Sequence, residues 1–116
     1  MTTGQKIQYI ADHYGYESQS RQLIEEMAEL TVAINKDWRK NFGAIDWSAV
    51  ERRDDIVEEI ADVTIMLEQI KYLLGVGDEE LSKIVEQKLD RQIERMKSLR
   101  EGTKKCDFNG TDQKVF

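Results

Sequence analysis

The chain carries one acidic phrase twice. Ile24-Glu25-Glu26-Met27-Ala28-Glu29-Leu30 returns 33 positions later as Val57-Glu58-Glu59-Ile60-Ala61-Asp62-Val63, with Leu23 and Ile56 matching just ahead of each copy. Each copy reads apolar, acid, acid, apolar, Ala, acid, apolar. Residues three apart on a helix are surface neighbours, with Cβ atoms about 5–6 Å apart. Glu26/Glu29 and Glu59/Asp62 can therefore each act as a two-carboxylate jaw. Four anionic groups gathered at the edge of a core repel one another and lose hydration unless a cation neutralises them. An all-carboxylate donor set suits Mg²⁺ or Mn²⁺, hard ions that take oxygen ligands and keep waters. Di-iron bundles use Glu-x-x-His instead, and the only histidine, His13, lies outside both phrases. The alternative for each copy alone is a solvated helix face with intrahelical ion pairs.

Placing the jaws requires two amphipathic helices in the same phase. At 100° per residue the stripe of the first is centred on Leu23, Met27, Leu30 and Ile34, with Glu26 at its edge and Gln22 and Glu29 just beyond. The second has Ile56, Ile60, Val63, Leu67 and Ile70, with Glu59 at the edge and Asp55 and Asp62 beyond. Glu25 and Glu58 are expected nearly opposite the stripes, in solvent.

Four helices are expected in all. Residues 3–14 form a short one ended by Gly15. A second begins at a Ser18 or Ser20 cap and runs to about Lys40, with Gly43 beyond it. A third follows an Asp46 cap, from Trp47 to Leu74. After Gly75-Val76-Gly77, a fourth runs from an Asp78 cap to about Glu101. Residues 1–102 then make one helical domain and 103–116 a polar tail. No Pro occurs, and charged residues make up 34% of the 116, which favours an all-α fold.

The fourth helix brings cations. Its stripe of Leu81, Ile84, Val85, Leu89, Met96 and Leu99 contains Lys88 and Gln92, with Arg95 close by and Arg91 farther out. A lysine there either snorkels outward or meets phosphate. Trp38, with Phe42 and Trp47, flanks the loop between the jaws, either as core or interface or as a surface that stacks on a nucleobase. The net charge of −6 argues against a nucleic-acid partner. Its uneven distribution, six acids against two bases in 51–62 and six bases against four acids in 81–101, suits a polyanion held through a metal. The absence of a signal-like or membrane-length apolar run predicts a chain with no membrane partner. The single Cys106 fits a reducing cytoplasm.

Glu26-x-x-Glu29, a spacer of 29 residues and Glu59-x-x-Asp62 resemble the MazG-type all-α nucleoside triphosphate pyrophosphohydrolases. So do Gln19-Ser20-Arg21-Gln22-Leu23-Ile24-Glu25-Glu26 and Lys88-Leu89-Asp90-Arg91-Gln92-Ile93-Glu94-Arg95, although the family typically has Asn in the place of Gln92. The resemblance spans roughly residues 15–100. It implies a four-helix bundle completed by homodimerisation, as a dimer or a pair of dimers. It also implies Mg²⁺-dependent cleavage of a nucleoside triphosphate to monophosphate and pyrophosphate. Glu26, Glu29, Glu59 and Asp62 would hold metal, with Glu26 also orienting the attacking water. Gln22, Trp38, Lys88, Arg91, Gln92 and Arg95 would contact substrate. Two alternatives remain: a phosphorylated metabolite such as phosphoribosyl-ATP as substrate, or a non-enzymatic helical interaction module.

Overall fold

A computed structural model describes residues 1–41 and 50–101. All its regular structure is helical: α1 (Thr3–Asn41), α2 (Val50–Leu74) and α3 (Asp78–Glu101). The chain divides after Gly75 into two compact units.

In the first unit, the two expected N-terminal helices abut as α1. Gly15, at φ 83° and ψ 170°, is the only non-helical residue between them. A side chain at that backbone geometry is strained, so glycine is what permits the break. Ser18 and Ser20 are not caps. They lie inside the helix, and the Ser20 hydroxyl donates to the Glu17 carbonyl at 3.1 Å. The cap of α1 is Thr2, through a reciprocal pair. The Gln5 N–H donates to Thr2 Oγ1 at 3.1 Å, and the Thr2 N–H donates to Gln5 Oε1 at 2.8 Å. The Asp46 cap, the Trp47 start and the 103–116 tail lie outside the described residues.

The body of α1 packs antiparallel on α2. The inward positions of α1 are Gln19, Leu23, Glu26, Leu30, Ala33 and Asp37, and those of α2 are Ile56, Glu59, Val63, Met66, Ile70 and Leu73, with Gln69 beside them. Both sets alternate steps of three and four residues, the spacing of a coiled-coil seam. The expected stripes are thus rotated: Met27, Ile34, Ile60 and Leu67 are 45–48% exposed. Each helix bears two adjacent apolar stripes, and the seam takes the one containing the smaller Ala33 and the glutamates.

The other stripe faces outward. It comprises Ile24, Met27, Thr31, Ile34 and Trp38 on α1, and Val57, Ile60, Thr64, Leu67 and Leu74 on α2. Thr31 and Thr64 turn their hydroxyls back onto the carbonyls of Met27 and Ile60, at 2.8 and 2.7 Å. Satisfied in that way, they behave as apolar positions. The sequence repeat therefore encodes two faces, an inner seam and an outer stripe.

Segment 3–14 is tied to the end of α2, where the Tyr72 hydroxyl lies 2.9 Å from both Asp12 carboxylate oxygens. Ala11 is fully buried there. Gly75, at φ 69°, closes α2 with its N–H on the Tyr72 carbonyl at 3.1 Å.

The second unit contains α3. Its first backbone bond runs from the Leu81 N–H to the Gly77 carbonyl, so Gly77 holds the cap position and Asp78 is the first helical residue. Asp78, Glu79 and Glu80 place negative charge in the first turn, where the helix dipole favours it. Lys88, Gln92 and Arg95 are half-buried, whereas Ile84, Val85, Leu89, Ile93, Met96 and Leu99 are exposed. Beyond half-buried Leu81, the expected order of apolar and basic positions is thus reversed on this helix. Among the described residues no helix is long and apolar enough to cross a membrane.

Candidate functional site

The two copies of the acidic phrase meet near the middle of the seam. Gln19 Nε2 donates to Gln69 Oε1 at 2.7 Å, which fixes the level of the two helices. Ten residues along from that pair, Glu29 stands level with Glu59; seven along, Glu26 stands level with Asp62. Because the phrase repeats on antiparallel helices, the two copies are related by a local pseudo-twofold axis between these levels. Glu26 and Glu59 are counterparts, both half-buried in the seam, and Glu29 and Asp62 are counterparts, both exposed.

Three of the four carboxylates come together. Glu26, Glu29 and Glu59 can each present an oxygen such that all lie within 4.8 Å of one another. Asp62 is outside this group; its side chain is one methylene shorter than that of its counterpart Glu29. Glu26 Oε2 and Glu59 Oε2 are buried with no hydrogen-bond partner. The other Glu26 oxygen accepts from Gln22 Nε2 at 2.8 Å, so Gln22 orients this carboxylate. Buried carboxylate oxygens ordinarily have donors, and the orphaned pair therefore has spare acceptor capacity.

The electrostatics reflect this crowding. The Glu29 carboxyl is raised above its ordinary 4.5, first by the Glu26 charge and then by partial desolvation. The Glu59 charge, a hydrogen bond that protonated Glu29 can make to Glu26, and the Glu25 charge act in the same direction.

Beside the trio, a cleft of about 540 Å³ opens between the helices. Ala28, Val32 and Ala33 give it apolar walls, Glu25, Glu29, Asp55, Glu58 and Glu59 make it acidic, and Lys36 adds one cation. Glu25 and Glu58 are exposed as expected, yet they border this cleft rather than an unrelated surface. Sequence reasoning did not single out Lys36 or the buried Gln19–Gln69 pair. Gln19 was legible in principle, since it sits one heptad before Glu26.

Trp38 is 62% exposed at the end of the outer stripe. Lys88, Gln92 and Arg95 are half-buried on α3 and Arg91 is exposed. Phe42 and Trp47 lie outside the described residues. His13 packs edge-on against Tyr14 in segment 3–14. Comparisons with protein-family models, curated proteins and solved structures find no match to this chain.

Proposed function

We propose that the protein is a Mg²⁺-dependent nucleoside triphosphate pyrophosphohydrolase that works as a homodimer or homotetramer. The observation that carries this reading is the pair of seam glutamates. Glu26 and Glu59 occupy positions where a leucine would pack better, and each leaves a buried oxygen without a donor. Burying a carboxylate costs several kilocalories unless it is compensated. A divalent cation is the compensation that suits an all-oxygen donor set.

Glu26, Glu29 and Glu59 would hold the ion, with Asp62 completing the set through a water or a rotamer change. Bound there, Mg²⁺ would supply Lewis-acid polarisation of phosphate oxygens and a more acidic water. The chain's own residues would do the rest. Glu26, oriented by Gln22, would accept a hydrogen bond from the attacking water and align it with the α-phosphorus. Lys88, with Arg91 and Arg95, would neutralise the departing pyrophosphate, and Gln92 would hold a neighbouring phosphate or sugar oxygen. Trp38 would offer a face for the base. The resemblance of both acidic phrases and of the basic helix to MazG-type enzymes supports the same assignment.

The outer stripes support the assembly. A hairpin whose seam holds two glutamates and two glutamines, and whose outer faces carry Ile24, Met27, Ile34, Val57, Ile60 and Leu67, leaves much apolar surface in water. A second copy applied to that face would complete a four-helix core. The same stripes favour a second reading, a non-enzymatic helical assembly module in which the acids are solvated.

Pyrophosphate release measured over a panel of nucleoside triphosphates and phosphoribosyl-ATP, with Mg²⁺ and with EDTA, separates these readings. Metal-dependent release from a triphosphate that is lost in Glu26→Gln is the expected result. Absence of turnover together with absence of Mg²⁺ or Mn²⁺ binding by calorimetry leaves the assembly module.

A further inference from the structure

The Gln19–Gln69 pair is buried toward one end of the seam, apart from the carboxylates. Gln69 is the most buried large side chain of the described residues, at 2% exposure, and Gln19 is at 6%. Their amides meet at 2.7 Å, and the remaining Gln69 Nε2 capacity goes to Met66 Sδ at 3.7 Å, a weak acceptor. Two long amides in a thin core are poor material for stability. Apolar side chains of similar size would exclude water equally well without a desolvation cost.

What a buried polar pair can provide is register. The inward positions of α1 and α2 alternate steps of three and four residues along both helices. Sliding one helix by a turn therefore places an inward position opposite another inward position again, and apolar packing discriminates weakly between such states. The amide pair discriminates strongly, because a slip leaves both glutamines buried and unpaired.

The geometry points to Gln19 and Gln69 as the positioning pair that sets the register of the hairpin and thereby assembles the carboxylate trio. One turn of slip in one direction would set Glu29 level with Ile56 and Glu26 with Glu59; in the other, Glu26 would stand level with Ile65 and Glu29 with Asp62. Either way Glu29 and Glu59 are no longer level, and the trio cannot gather at one point. The value of this pairing rests on the metal reading given above, but the register it imposes is measurable without any metal. The pairing is also asymmetric with respect to the pseudo-twofold axis. The positions related by the repeat to Gln19 and Gln69 are Arg52 and Lys36, so the repeat does not duplicate the amide pair.

The test replaces both amides at once by unbranched apolar side chains of similar length, Gln19→Met with Gln69→Met. Gln19→Leu with Gln69→Leu serves as a second variant if the first folds poorly by circular dichroism. Spin labels are attached at Arg21→Cys and Arg53→Cys, both exposed, in a Cys106→Ser background and diluted in unlabelled protein so that only distances within one chain are read. These sites lie about 14 residues apart along the axis, or roughly 21 Å, so a slip of one turn changes the distance by about 5 Å.

In the wild-type pair the distance distribution should be single and narrow. In the double Met variant it should broaden or split by about 5 Å. Mn²⁺ affinity should fall at least tenfold, within the range of about 10–100-fold for lost residues that orient metal ligands. Thermal stability should stay equal or rise. A folded double variant with the same narrow distance overturns the assignment. If the distances behave as expected but wild-type protein takes up no Mn²⁺, the register lock stands and the metal reading falls.

Discussion

Glu59→Gln removes one seam charge while keeping the side chain's shape. Glu59 Oε2 is buried and lacks a donor, and a Glu59 carboxylate oxygen lies within 4.8 Å of oxygens from Glu26 and Glu29. The substituted amide replaces an acceptor among acceptors with a donor among acceptors. A hydrogen bond to a charged partner is worth about 1.5–3 kcal/mol. The site is only half-buried, so solvent reduces this to roughly 1–2 kcal/mol. For a domain of this size each kilocalorie moves Tm by about 4–8 °C. In EDTA the variant should therefore melt about 4–16 °C above wild type. With Mn²⁺ the order should reverse or close. Wild type gains RT ln(1 + [L]/Kd), about 2.7 kcal/mol at one hundred times Kd, and the variant gains little. Differential scanning calorimetry at one fixed protein concentration reads both arms, because the Tm of an oligomer depends on concentration. A Glu59→Gln protein that melts below wild type in EDTA would refute the argument that this carboxylate is unsatisfied in the metal-free state. Equal Mn²⁺ stabilisation in both proteins would remove Glu59 from the metal site.

Glu29 predicts a pH dependence. Its raised carboxyl binds a proton more tightly in the folded chain, so the stability it contributes is complete below pH 4.5 and is lost as pH rises through the raised value. Relative to Glu29→Gln, wild-type Tm in EDTA should fall from pH 4.5 toward neutrality, while stabilisation by Mn²⁺ grows; parallel curves would contradict this. Ile60→Glu places charge on the exposed outer stripe and should shift sedimentation equilibrium toward the monomer. A folded wild-type monomer near 13.5 kDa at micromolar concentration would defeat the assembly proposal. Gly15→Ala forces a side chain onto φ 83° and should cost roughly 1–3 kcal/mol in urea titration, with no change expected if the break simply moves. Lys88→Met should leave stability equal or higher but slow triphosphate hydrolysis about 30- to 1,000-fold, the loss of one charge-assisted contact in the transition state. Unchanged kcat and KM would make Lys88 a structural residue.

The helical class, the break at Gly15, the stop at Gly75 and the pairing of two acidic phrases were legible from the residues alone. They depend on local backbone preference and on a repeat that any fold must carry. The phase of the helices was not. Leu23, Glu26 and Leu30 on one side, and Ile24, Met27 and Ile34 on the other, make two stripes so close in angle that periodicity places their centre between them. Only packing decides which stripe turns inward, and the seam took the side carrying Glu26, Glu59 and Ala33. The same ambiguity hid the reversal on α3, where Lys88, Gln92 and Arg95 are more buried than the apolar residues beside them. The sequence alone also could not set the level of α1 against α2. That level determines that Glu29 meets Glu59, and it follows from a contact between residues 50 positions apart, Gln19 and Gln69. Local periodicity carries no information about such a distant partner; the tertiary structure supplies it, because two buried amides must find each other.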